Sequence, residues 1–508
     1  MHKMTFRTCG AVVWGVAALL VTGCRVGPKY QRPPALAQAP PAEYKEAPTR
    51  FADTDGWMVA QPQDAMLHGK WWEIYNDAEL NALEDTLAID NQSIKQYFDN
   101  FMAARALIAE ARSQLFPTAT VGAGYSRSGS SANVGNNAGM GAGANNSSSL
   151  FSLPFDVSWE PDLWGRVRNQ VREAQYNAQV SAADLENERL TEQASLAEYF
   201  FEVRGQDALA ALLTQTVADD QKALDYTKAQ YETGVGQQIS VVEAQTALQQ
   251  AQAALTNVGV ARAEYEHAIA VLIGTNPSSF SIPVRPLKAV PPAVPIGVPS
   301  QLLERRPDIA ATERAMASAN AAIGVADAAY YPALTLSASA GLESSTLGNL
   351  FKWSSRYWSV GPGISETIYE GGLRRATVRQ YTAIYNADVA NYRETVLTAF
   401  QQVEDYLSTV RILSHQLLQQ TAAAESAQQF VELETARYQT GIDPYVNVLT
   451  AQTTLLGDQQ TLVNLRTQEM TASVQLIVAL GGGWDSTQLP GAGDVSKKLT
   501  PAETTIQR

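Results

Sequence analysis

This chain of 508 residues repeats itself at half length, and that repeat limits its folds more than any other feature. Tyr231-Glu-Thr-Gly234 recurs as Tyr438-Gln-Thr-Gly441. Val241, Ala244, Gln245 and Leu248 recur as Val448, Ala451, Gln452 and Leu455, all at a spacing of 207 residues. Arg204/Arg411, Tyr199/Tyr406 and Gly274/Gly481 keep the same spacing. A repeated unit buries its apolar face against its copy. The pattern predicts a symmetric wall about an axis in preference to a single catalytic pocket.

The start of the chain reads as an export signal. His2, Lys3 and Arg7 precede an apolar run from Gly10 to Thr22, and Val21-Thr22-Gly23-Cys24 places small residues before a cysteine. The run is too short to span a bilayer, so residues 1–23 are expected to be a cleaved lipoprotein signal peptide. Cys24 would then become the N-terminus and carry lipid on its sulfur and amine. Several acyl chains anchor stably where one alone is marginal. Such processing implies a bacterium, and Arg25 rather than Asp after the cysteine fits outer-membrane sorting, by resemblance to known lipoproteins. Cys9 leaves with the signal, so the mature chain is expected to form no disulfide although the periplasm permits one.

Composition excludes several functions. With 37 Lys and Arg against 51 Asp and Glu, the formal net charge is −14, which argues against a nucleic-acid partner. His2, His68, His267 and His415 are never at metal-ligand spacing. No zinc-protease helix motif, nucleophile elbow, phosphate-binding loop or dinucleotide fingerprint occurs. The expectation is a protein that is not an enzyme, with no metal and no cofactor beyond the lipid on Cys24.

Residues 24–76, rich in Pro and Ala, are expected to be an extended lipidated tether. The first repeat covers 77–274. Residues 275–300 hold seven prolines, Pro277 to Pro299, and mark a crossover. The second repeat covers 301–483, and 484–508 is expected to be a flexible tail. Each repeat begins with a helix, Asp77 to Leu115 and Asp308 to Tyr330, ended by Pro117 and Pro332. A β-hairpin follows, 118–160 and 333–366. Phe151, Leu153, Phe155, Val157 and Trp159 alternate onto one face, as do Leu334, Leu336, Ala338, Ala340 and Leu342. Period two with aromatics near the ends fits strands whose outer face meets lipid; an ordinary soluble hairpin is the alternative. Ser126–Ser149, rich in Gly, Ser and Asn, reads as a surface loop.

After the turns at Asp162–Arg166 and Tyr369–Arg374 comes a long helical stretch. Val389, Val396, Val403, Val410 and Leu417 are seven apart, echoed by Ala182, Leu196, Val203, Ala210 and Val217. The heptads predict coiled-coil packing, though they are equally compatible with a plain helical bundle. The fold class expected is mainly α with a small β part: long coiled-coil helices and four β-strands per chain. Four strands cannot close a membrane barrel, because lipid satisfies no open sheet edge and bacterial barrels start at about eight strands. Two copies would give about eight and three about twelve; a barrel of about eight fills with its own side chains, which favours a homotrimer.

In order and spacing, Cys24-Arg-Val-Gly-Pro-Lys-Tyr-Gln-Arg-Pro33, Trp71-Trp72, Leu115-Phe-Pro117, Leu303-Glu-Arg-Arg-Pro-Asp-Ile309 and the paired Tyr-x-x-Gly…Ala-Gln segments resemble the TolC-like outer-membrane factors. The match is to their lipoprotein (NodT-type) branch, which serves resistance-nodulation-division efflux. The resemblance implies a homotrimeric barrel of twelve strands in the outer membrane of a Gram-negative bacterium, continued by a helical tunnel into the periplasm. It also implies a periplasmic adaptor (membrane fusion protein), an inner-membrane resistance-nodulation-division pump, and a channel that acts as a passive gated exit for small molecules.

The resemblance places the gate at the turns Tyr231–Gln245 and Tyr438–Gln452. The family's acidic selectivity positions fall here on Asn447 and Thr450, which are not acidic. Glu243 and Asp443 are the nearby acids and are expected to line the neck, where clustered carboxylates raise one another's pKa. Tyr231 or Tyr438 would tether neighbouring helices in the closed state. The adaptor is expected at Thr233, Gly234, Val235, Gln439, Thr440, Gly441 and Ile442. Two rival readings stand beside this one: a protein-secretion exit channel on the same fold, and a periplasmic coiled-coil scaffold with no pore.

Overall fold

The structure is a computed structural model, and the residues it describes are 25–36, 40–41, 43–46, 69–129, 147–292, 294 and 302–497. Helices α1 (Ala78–Asp90) and α2 (Gln92–Ser113) lead into strands β1 (Thr118–Val121), β2 (Gly124–Gly129) and β3 (Ser147–Trp159). Helix α3 (Arg166–Glu232) then runs away from the sheet and α4 (Gln238–Leu272) returns. The second half repeats the plan with α5 (Pro307–Ala328), β4 (Ala333–Ser344), β5 (Arg356–Ser365), α6 (Leu373–Gln439) and α7 (Tyr445–Ala479).

Helices α3 and α6 are each 67 residues long, and α4 and α7 each 35. The long pair runs unbroken because α3 contains no proline and one glycine, and α6 contains neither. At 1.5 Å per residue each spans about 100 Å. The single glycine, Gly205, marks a close crossing: a Cβ there would lie 2.4 Å from Thr467 Oγ1 of α7. The first helix differs from expectation. It breaks at Asn91, whose backbone is extended and whose side chain accepts from Ile94 N at 2.9 Å, capping α2.

The break serves a joint that both halves use. The last carbonyls of a helix have no partner within it. Asn91 Nδ2 donates to Leu272 O at 2.9 Å at the end of α4, and Arg306 Nη1 donates to Ala479 O at 3.2 Å at the end of α7. Helix α4 therefore meets the start of α2, and α7 meets the start of α5. Near the sheet the wall packs in the order α2–α3–α5–α6, and farther away α4–α3–α7–α6.

The sheet has the same lateral order, β1 and β2 beside β3, then β4, then β5, all antiparallel. β1 and β2 keep one register against β3, and their interruption at Gly122–Ala123 lies opposite Pro154, which has no N–H to donate. Four strand positions are therefore filled. The pair Gly129↔Ser147 carries the first hairpin farther than the Ser126–Ser149 loop expected from composition. One face collects Val121, Phe155, Val157, Trp159, Ala338 and Val360; the other collects Thr120, Asp156, Ser158, Ser337, Ser339 and Ser359. The apolar face is uncovered: Trp358 is 75 % exposed and Val360 72 %.

The main core lies midway along the helices. It gathers Trp71, Phe200, Phe201, Tyr392, Val396 and Val403. The heptad positions Val396 and Val403 are fully buried, whereas Val410 and Leu417 are half-buried farther along α6.

Two segments depart from what composition suggested. The tether, where it is described, is a strap packed on both halves. Val26 N donates to Trp164 O at 3.1 Å, Tyr30 Oη to Glu313 Oε1 at 2.6 Å, and Arg32 Nη2 to Tyr392 Oη at 2.9 Å. Lys45 N and Glu46 N then donate to Glu404 at 2.7 and 2.9 Å, and Arg411 Nη2 donates to Glu46 at 2.6 Å. In the first half the crossover does the same for Arg204. Arg204 Nη1 donates to Pro283 O at 2.6 Å and Leu287 N to Arg204 O at 3.0 Å, while Asp207 Oδ1 accepts from Arg262 Nε at 2.7 Å. The C-terminal tail is packed as far as Lys497. Val495 is 2 % exposed among Ile108, Val167 and Val171, and Gln179 Nε2 donates to Pro490 O at 2.9 Å. Single anchoring side chains hold both segments, and a periodicity argument does not register them.

Candidate functional site

The far ends of α3/α4 and α6/α7 form two tips built alike. Gly234 and Gly441 take φ of 75° and 77°, the left-handed region that a glycine enters without a Cβ clash. At the first tip Val235 N donates to Gln230 O at 3.0 Å and Gly234 N to Tyr231 O at 3.0 Å; at the second Ile442 N donates to Arg437 O and Gly441 N to Tyr438 O, both at 2.9 Å. This double closure satisfies the orphan carbonyls of each long helix. Thr233 and Thr440 reinforce it, each Oγ1 donating to the carbonyl four residues back at 2.9 and 3.0 Å. Val235 and Ile442 stand exposed at the two apices, and Gln439 is exposed beside the second.

Below the apices the two tips pack on each other through Leu224, Ala244, Leu248, Tyr445 and Val448. Tyr438 is the link. Its Oη donates to Gln230 Oε1 across the halves at 2.6 Å, and Gln230 Nε2 donates to Tyr226 Oη at 3.0 Å. The Tyr438 ring lies 5.3 Å from Tyr445 and 6.3 Å from Tyr226. Burial first, then Tyr226 and the charge of Glu243, push the Tyr438 hydroxyl up, so it stays a donor at physiological pH. Burial, Asp220, Tyr438 and Glu243 push Tyr445 up to about 12. Asp220 is 8 % exposed on α3, and burial followed by the Asp219 charge raises it to about 6.

The other expected gate residues separate. Glu243 is half-buried at the edge of this cluster, while Thr450 is exposed and bonded to Val446 O at 2.8 Å. Asn447 is half-buried in the first turn of α7, its N–H donating to Pro444 O at 3.1 Å. Tyr231 is exposed, and it is Tyr438 that reaches across. Asp443, expected to have a raised pKa, is instead held below the usual carboxylate range by the Arg437 guanidinium, which bonds it within the same turn. Gln230, Tyr226, Asp220, Tyr445 and Arg437 were not anticipated. Where the repeat departs from itself, Gln230 against Arg437 and Gly236 against Asp443, the sequence held a usable signal for two of these positions.

Cys24 lies outside the described residues. The chain next to it enters at the Trp164–Gly165 turn, between sheet and helices. Among the described residues no group of His, Cys, Asp and Glu could hold a metal ion, and no helix is long and apolar enough to cross a membrane. The sheet, with its apolar outer face and polar inner face, is a separate matter.

The family model for the outer membrane efflux protein matches residues 84–275 and 298–482, both repeats with the crossover between them left out. The chain belongs to the outer membrane efflux protein family. It is 31 % identical over 473 residues to the probable efflux pump outer membrane protein TtgC of Pseudomonas putida, covering 92 % of this chain and 94 % of that one. It is 30 % identical over 488 residues to the outer membrane protein OprJ of Pseudomonas aeruginosa, covering 93 % and 96 %. Among solved structures, the outer-membrane channel OprN matches with a TM-score of 0.79 at 26 % identity, over 91 % of this chain and 100 % of that one. The CmeC outer membrane channel of Campylobacter jejuni shares the fold at a TM-score of 0.81 and 22 % identity, over 94 % and 100 %. This family member is thus an outer-membrane protein whose wall of four strands and four helical columns is that of an efflux channel.

Proposed function

We propose that this chain is the outer-membrane exit duct of a tripartite efflux pump, working as a homotrimer. The observation that carries the reading is the sheet: apolar on its uncovered face, polar on the other, and open at both edges. β1 and β2 end it on one side and β5 on the other, and the helical wall is open on the same two sides. In lipid neither edge is tolerable, so β5 of one copy must pair with β1 and β2 of the next until the ring closes. Three copies give about twelve strands and leave a lumen that small molecules can pass.

The tips are the gate. The Tyr438–Gln230 bond and the Tyr445 cluster hold the α6/α7 pair against α3 and so keep the tunnel end narrow, while Glu243 and Asp443 supply its negative charge. Thr233, Gly234, Val235, Gln439, Thr440, Gly441 and Ile442 form the small-residue surface that receives a periplasmic adaptor, which couples the duct to an inner-membrane pump. Relatives are named for toluene and antibiotic efflux, which supports small organic molecules as the substrates of this duct. Lipid on Cys24 anchors the trimer where the chain enters beside Trp164. The protein transports and performs no bond chemistry; it needs no cofactor.

The test is single-channel conductance of the purified protein in a planar bilayer, with oligomer mass measured in parallel. A trimer that gives small, mostly closed, cation-preferring channels is expected. A monomer without conductance in any lipid would overturn the reading and leave a lipid-anchored scaffold.

A further inference from the structure

A groove of about 590 Å³ runs beside α2, outside the tips and away from the strap. Ile108, Ala109, Phe116 and Val495 form its apolar floor, and Arg105, Arg112 and Lys497 stand at its rim. In a chain of net charge −14 this is a concentration of positive charge. The two arginines lie on one face of α2 and, among the described residues, bond no carboxylate. Arg105 Nη2 donates to Lys497 O at 3.1 Å and Arg112 Nη1 to Ser496 O at 3.1 Å. Lys497 pairs with Asp494 at 2.7 Å, both well exposed.

The height of the groove identifies what fits it. Phe116 is 67 % exposed and stands two residues before β1, at the rim where sheet gives way to helix. At 1.5 Å per residue Arg112 lies about 6 Å below Phe116 and Arg105 about 16 Å below. The headgroup layer extends roughly 5–7 Å beyond the hydrocarbon on each side. Arg112 is therefore at phosphate depth. The Arg105 backbone lies about 10 Å farther from the bilayer, but both guanidiniums converge on the adjacent carbonyls of Ser496 and Lys497. The apolar floor rises past Phe116 towards the exposed Val121. We propose that this groove seats an anionic phospholipid of the inner leaflet, its phosphate between Arg105 and Arg112 and one acyl chain along Ala109 and Phe116, over the buried Ile108. These guanidiniums bond backbone carbonyls and, for Arg105, the Met102 sulfur, a weak acceptor at 3.9 Å. With five N–H donors each they keep further N–H groups for phosphate oxygens. The assignment rests on reading the sheet as the outer-membrane barrel, which sets the height.

The experiment measures thermal unfolding of the full-length, detergent-extracted protein with added phosphatidylglycerol, phosphatidylcholine or inorganic phosphate. Lipid retained per chain is counted by native mass spectrometry. Phosphatidylglycerol should be retained and stabilising in preference to phosphatidylcholine, with no effect of inorganic phosphate. Arg105→Gln/Arg112→Gln should lower that preference by about fivefold for each guanidinium lost. Ala109→Phe fills the groove while leaving both arginines, and carries the test if the double variant fails to assemble. Equal response to the two lipids, an unchanged preference in both variants, or an equal shift with inorganic phosphate overturns the proposal. A neighbouring copy sealing the groove would give the first of these. Wild-type oligomer mass and conductance report separately on the barrel reading.

Discussion

Replacing Tyr438 with Phe removes one hydroxyl and keeps the ring that packs on Tyr445 and Tyr226. The lost bond is the 2.6 Å donation to Gln230 Oε1, the side-chain hydrogen bond that joins the two tips. Both residues are half-buried, so water can reach the freed groups, and the net loss is about 1 kcal/mol for each copy. If three latches release together the closed state loses about 3 kcal/mol, on the order of a 100-fold shift towards open. Independent release gives about fivefold for each latch. Open probability in a planar bilayer separates these cases, with trimer mass and thermal stability as controls. Gln230→Leu, which removes the acceptor from the other side, should act in the same direction, and the double variant should add little. An intact Tyr438→Phe trimer that opens no more than wild type would refute the latch and move the gate elsewhere.

Gly205→Ala should destabilise by roughly 1–2 kcal/mol, because a strained Cβ at the α7 crossing outweighs about 1 kcal/mol of helix propensity. Thr467→Ala in the same chain should restore the melting temperature. Asp220 carries a pKa raised to about 6, so its neutral form is favoured in the folded tip. The stabilisation is complete below the unfolded carboxylate pKa of 3.8 and is lost as pH rises to about 6. Closed tips should therefore loosen between about pH 4 and 6 and change little above that, and Asp220→Asn should flatten that dependence. Reversal potentials of the Glu243→Ala/Asp443→Ala channel should show reduced cation preference; an unchanged value would remove both acids from the neck.

How much of this was readable depends on whether a feature repeats. The spacing of 207 residues placed both long helices, their return helices and both glycine turns, because the same backbone problem is solved twice by the same residues. Strand alternation placed the hairpins and their apolar face. The break at Asn91 was hidden, since one capping asparagine inside a helical pattern leaves the period intact. The strap and tail were hidden because Tyr30, Arg32, Glu46 and Val495 each act alone, on partners hundreds of residues away. At the tips the turns were legible but the latch was not. Tyr438 and Gln230 sit in opposite halves, and only the packing of four helices brings them together. Asp443 shows the converse: Arg437, six residues away, decides its charge, and that short-range partner was available in the sequence.

The strap has a consequence for the order in which the molecule can be completed. Lys45 and Glu46 bind Glu404 and Arg411 at sequence separations of 359 and 365 residues. The segment that emerges first therefore finds its partners only after most of the second half has been made and exported. Contacts so distant along the chain form slowly. Until α6 arrives, the first repeat can close its own charged belt through the crossover and Val26 can bond Trp164, but Arg32, Lys45 and Glu46 have no partner to hold. Folding of the strap thus ends close to where synthesis began, and a protein truncated early in α6 would keep a docked crossover and the contacts of Val26 and Tyr30 but leave Lys45 and Glu46 undocked.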